Sequence, residues 1–71
     1  GVKSIKINIT NLNNEQKEKL RGAIRFFAGD RNNCRIDIQN NDRIDSAGGV
    51  LMNEEIFKEF IKIVGKENVI K

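Results

Sequence analysis

The chain has 71 residues, 13 of them basic and 10 acidic, for a net charge of +3. A single small domain of this length buries only about 60–65% of its unfolded surface, which argues against a deep, enclosed reaction chamber. Histidine is absent, removing the usual general base and the commonest metal ligand, and the mild, interspersed basic excess falls short of the dense stripe of a dedicated nucleic-acid module.

Ser4 to Ile9 alternates strictly, with Ile5, Ile7 and Ile9 on one side and Lys6 and Asn8 on the other, the pattern of a half-buried strand. After the break at Thr10–Asn13, Asn13 caps a helix, and Gln16 three residues on completes a capping-box pair. Leu20, Ala23, Ile24 and Phe27 recur at the spacing of one buried helical face. Gly29 is the expected stop, as a left-handed cap.

Asp30–Asn33 reads as a polar loop. Cys34, Ile36 and Ile38 then alternate with Arg35, Asp37 and Gln39 in a second strand. Asn40-Asn41-Asp42 is turn chemistry, because asparagine and aspartate tolerate positive φ. A third strand starts at Arg43-Ile44 and completes a hairpin. Ser46-Ala47-Gly48-Gly49 interrupts it, where a bulge or bend is expected.

Asn53 caps a second helix, with Glu54 and Glu55 in its first turn, where acids offset the helix dipole. Ile56, Phe57, Phe60, Ile61, Ile63 and Val64 give it the broader apolar sector. Gly65 ends it, and Asn68-Val69-Ile70 forms a short last strand. The order is β-α-β-β-α-β, an α+β two-layer sandwich of the ferredoxin-like, split βαβ kind. Both helices are expected on the isoleucine face of a four-stranded sheet, leaving Lys6, Asn8, Arg35 and Asp37 on the open face.

No residue set here carries catalysis, a metal or a cofactor. Cys34 lacks a histidine to activate it and occupies an apolar strand position, the place of a buried structural thiol. As the only cysteine it cannot form an internal disulfide, which fits a reducing cytoplasm. Asp37 and Asp45 find better partners in Arg35 and Arg43 across the hairpin than in each other. Gly48-Gly49 lacks P-loop spacing. No apolar run approaches the ~20 residues that span a bilayer, so no membrane contact is expected. The strands hold no aromatic, which counts against a base-stacking RNA surface. Lys17, Arg21 and Arg25 share one flank of the first helix, a solvated face by default and otherwise a face for an acidic partner or a phosphate backbone. Phe26 points about 100° away from Phe27, towards the flank opposite the basic residues, either wrapping the core edge or anchoring a partner. The start, Gly1-Val2-Lys3, lacks methionine and suggests an excised fragment or a processed chain.

The tail Ile63-Val64-Gly65-Lys66-Glu67-Asn68-Val69-Ile70 resembles the closing segment of the bacterial DNA polymerase III alpha subunit. The strand Ile5–Ile9, the helix from Asn13, Ala28-Gly29-Asp30 and the strand Cys34–Ile38 resemble the same region, and Arg43 to Asn53 fits its pattern in order and length. The chain departs from that pattern in having Asn33-Cys34 for a proline-valine start and Gly48-Gly49 for an aromatic. The resemblance implies a non-catalytic module that binds the tau subunit of the clamp loader and so ties a cytoplasmic DNA-directed DNA polymerase to other replisome proteins, with DNA only a minor contact. A tethering surface combines an aromatic anchor with a polar rim. The residues expected to supply it are Arg21, Arg25 and Phe26, with the chain end Val69, Ile70 and Lys71. Two other classes fit the same fold: a small-ligand regulatory module of the ACT-like kind, and an auxiliary nucleic-acid-binding module.

Overall fold

A computed structural model describes residues 3–71; Gly1 and Val2, on which the fragment reading drew, lie outside the described residues. The elements are β1 (Lys3–Asn8), α1 (Asn14–Phe27), β2 (Cys34–Asn40), β3 (Arg43–Val50), α2 (Glu54–Val64), a 3-10 turn (Lys66–Asn68) and β4 (Val69–Ile70). They build the expected two-layer α+β sandwich, with the apolar faces of both helices packed on one side of a four-stranded mixed sheet.

Strand order departs from the split plan. In that plan the third strand lies between the first two. Here β1 and β2 are direct, parallel neighbours, in register from Lys3↔Cys34 to Asn8↔Gln39. The order is β3-β2-β1-β4, with β3 and β4 antiparallel at opposite edges. The composition of β3 explains its place. Arg43, Asp45, Ser46 and two glycines cannot supply the apolar alternation of a central strand, and charge and glycine suit an edge.

The core follows the alternation of the first two strands. Ile7, Ile36, Val50 and Phe60 are fully buried, joined by Ile5, Leu12, Leu20, Cys34 and Val64. Phe27 meets Phe60 edge to face, with ring centroids 6.1 Å apart. Gln16 Nε2 donates to the Ile63 carbonyl at 3.3 Å, linking α1 to α2.

Asparagines cap both helices. Asn13 Oδ1 accepts from Gln16 N at 2.8 Å, and Gln16 Oε1 accepts from Asn13 N at 3.0 Å. Asn53 Oδ1 accepts from Ile56 N at 2.9 Å, with no reciprocal side chain because the third helical position is isoleucine. The C-termini differ. Gly65 has φ 92° and donates to the Ile61 carbonyl. Gly29 is not a left-handed cap: the helix stops at Ala28, in extended conformation (φ −69°, ψ 144°), and Gly29 N donates to Asn32 Oδ1. The chain can leave α1 extended because Phe27 O is taken by Leu51 N at 3.1 Å, which does the work of a cap.

The hairpin closes at Asn40↔Arg43, with Asn41 at φ 56° in the two-residue loop. Between Arg35↔Gly49 and Asp37↔Ser46, β3 carries one residue more than β2, so the interruption is a bulge, and Gly48 sits in it at φ 95°. Asn33 closes the other end of the pair. Its side chain donates to Met52 O at 3.1 Å and accepts from Met52 N at 2.6 Å, extending the β2–β3 pairing past Val50.

Phe60→Ala should cost about 3–5 kcal/mol, against a total of roughly 4–10 kcal/mol for a domain of this size. Thermal unfolding followed by circular dichroism should show a largely collapsed transition. Asn53→Ala removes only the cap and should cost about 1 kcal/mol in the same measurement.

Candidate partner-binding surfaces

The six residues expected to contact a partner lie on two elements, α1 and the chain end. On α1, Leu20, Ala23, Ile24 and Phe27 turn toward the sheet and leave the opposite flank to solvent. Phe26 is 80% exposed and rests only its edge on Phe27, with centroids 5.2 Å apart. It therefore stands outside the core instead of wrapping it. Arg21 and Arg25 are exposed as well, but on the other flank of the helix, beside the β3 bulge. Arg21 reaches Glu18 at 3.4 Å, an exposed pair that contributes between ~0 and 1 kcal/mol. Lys17, one turn earlier, is half-buried.

The chain end forms one edge of the sheet. Val69 pairs with Ile7 and is half-buried, while Ile70 pairs with Lys6 and is 42% exposed on the open sheet face. Lys71 Nζ lies 4.8 Å from the centroid of the Phe57 ring, a cation–π contact. Since β3 and β4 are separated by two strands, the two edges of the sheet lie about 14 Å apart. Sequence order could not show this, because it does not say which strands form the edges.

The open face carries Ser4, Lys6, Asn8, Arg35, Asp37 and Gln39, flanked by Ile44 (53% exposed) and Ile70. All four phenylalanines lie on the helices. Asp37 and Asp45 point to opposite faces, since Asp45 pairs with Ile38. Their partners are the expected arginines, but within the same strand and not across the hairpin: Arg35–Asp37 at 3.2 Å and Arg43–Asp45 at 3.1 Å. The two-residue period of a strand explains it, placing i and i+2 on one face.

Two concave features were not legible beforehand. A groove of about 730 Å³ runs past the start of α2, lined by Ile5, Cys34, Met52, Phe57, Ile61 and Lys71 among others. A smaller cleft of about 440 Å³ separates α1 from the β3 bulge, with Arg21 and Arg25 on its rim. Only the arginine spacing was available as a signal for the second. Glu54 and Glu55 occupy the first turn of α2, where the helix dipole favours them. Among the described residues, no three His, Cys, Asp or Glu side chains gather as a metal-holding group, and no helix is long and apolar enough to cross a membrane.

The tail string has structural work in this fold. Gly65 takes the positive φ that ends α2, Asn68 Nδ2 donates to the Val64 carbonyl at 2.8 Å, and Val69 joins β1. Compared with family models, curated proteins and solved structures, the chain matches none.

Cys34 is buried in the core, with its thiol 3.7 Å from the Arg35 carbonyl. Burial pushes the thiol above its ordinary pKa, with the Ile5 backbone hydrogen bond and the Lys3 charge pulling the other way. The folded chain thus holds the thiol proton more tightly than the unfolded chain. Stability from the neutral thiol is complete below the unfolded thiol's pKa and is lost as pH rises through it toward the folded value. Urea midpoints should fall more between pH 7 and pH 10 for the natural chain than for Cys34→Val. Parallel curves would remove the thiol as the cause.

Proposed function

We propose that the chain is a non-catalytic protein-interaction module at the C-terminus of a bacterial, cytoplasmic DNA polymerase III alpha subunit, tethering it to the tau subunit of the clamp loader. The resemblance of the tail Ile63–Ile70 and of the order of elements supports the identity of the parent protein. The observation that carries the interaction role is Phe26. An aromatic left 80% exposed, on a helix whose inward face is already filled, has the character of an anchor. Arg25, exposed about 100° round the helix from it, is the nearest basic group in sequence for the polar rim that surrounds such anchors.

A second reading, a small-ligand regulatory module, draws on the groove beside α2 and its apolar lining. It requires that a ligand raise stability by RT ln(1 + [L]/Kd). A nucleic-acid role draws on Lys17, Arg21 and Arg25 and requires affinity that falls steeply with salt.

Binding to a purified tau fragment, measured by calorimetry, tests the tether. Phe26→Ala should weaken it by roughly tenfold or more, the size of a hot-spot loss, and leave the melting temperature nearly unchanged. Absence of tau binding by the natural chain rejects the tether. Unfolding of the Phe26→Ala variant would reassign Phe26 to the core.

A further inference from the structure

The cleft between α1 and β3 combines a basic rim, an apolar floor and a wall of glycine backbone. Its rim carries Arg21 and Arg25, and no carboxylate of the described residues lines it. Its floor is apolar, from Ile24, Ala28 and Ala47. Its wall is the backbone of Gly48 and Gly49. Gly48 sits at φ 95° with open space where a Cβ would be. Gly49 lies against Asn32 and the Cys34 carbonyl, where a Cβ would come within 3.2 Å of Asn32 Cβ and 3.1 Å of that oxygen. A ligand in the cleft therefore meets main chain on one side and guanidinium groups on the other.

Arg25 forms no ion pair among the described residues, and Arg21 has only its 3.4 Å contact with exposed Glu18. Like charges four residues apart repel along a helix, by a few tenths of a kcal/mol. An acidic guest converts that repulsion into a pair of charge-assisted hydrogen bonds. The spacing selects the form of the guest. Four residues of helix advance about 6 Å, and two residues of extended chain advance roughly 6.6 Å. Two acids at alternate positions of an extended peptide thus match the two arginines. The residue between them faces away from the rim, over the small apolar floor. β3 is also an edge strand, whose outward main-chain groups have no partner in the sheet.

We propose that this cleft is the seat of an extended acidic segment of a protein partner, with acids at alternate positions on Arg21 and Arg25 and a small or apolar residue between them. The proposal rests on the chain being a protein-interaction module, not on which protein carries it.

A random hexapeptide library displayed on phage, selected against the whole chain, tests it. Selected peptides should be enriched in Asp or Glu at positions two apart. A synthetic copy of the leading peptide should bind Arg21→Gln/Arg25→Gln roughly tenfold more weakly, the size expected for two partly exposed charge pairs, with the melting temperature held. It should also shift the amide resonances of Gly48 and Gly49. Absence of paired acids among the selected peptides overturns the proposal, as does an acidic peptide that binds the double variant as tightly as the natural chain. If the tau fragment binds and acidic peptides do not, the cleft assignment alone falls. If acidic peptides occupy the cleft and the tau fragment does not bind, the tether falls and the cleft stands.

Discussion

The direct parallel pairing of β1 with β2 is the constraint on which the rest of the molecule depends. It sets Ile5 beside Ile36 and Ile7 beside Ile38 in one apolar strip at the middle of the sheet. Phe60 and Val64 from α2 and Leu20 from α1 close over that strip. Adjacent parallel strands need a crossover, and α1 provides it. With both central positions taken, the hairpin can only place β3 outside β2, and the last two residues can only pair outside β1. Edges and termini are consequences of that one pairing.

Those consequences distribute the surface. The weakest strand, short of apolar residues and bulged at Gly48, becomes an edge where its irregularity disturbs no central ladder. The bulge residues Gly48 and Gly49 line the cleft across from Arg21 and Arg25. At the far edge, two residues of β4 suffice because Asn68 and Gly65 have already turned the chain. Lys71 then lies over Phe57. Function, on the proposed reading, resides in what the core leaves over: an uncovered phenylalanine, two arginines and an open strand edge.

Asparagine does a large share of the local work. Asn13 and Asn53 start helices, Asn68 ends one, Asn33 joins β2 to the segment after β3, and Asn41 takes a positive φ in the hairpin. The caps at Asn13 and Asn53 and the turn at Asn41 could be read from the chain, because each satisfies or bends backbone within three or four residues. Asn33 could not. Its partner Met52 is 19 residues away, and a polar loop residue gives no hint of so distant a bond. Gly29 misled for a related reason. A glycine after an amphipathic run signals a left-handed stop, but the long-range bond from Leu51 to Phe27 satisfied the helix end first.

By itself the amino-acid order determined which segments are strands and which are α-helices, the face each buries and the place of the bulge. These follow from periods of two and 3.6 residues, from capping side chains and from glycine, all of which act over a single turn or a few strand residues. Only the tertiary structure decided which strands neighbour each other, that Arg21, Arg25 and Phe26 stand apart from the chain end, and that a cleft faces the two arginines. Each of those depends on which side of β2 the hairpin takes. Local patterning is indifferent to that choice, and burial of the central isoleucines settles it.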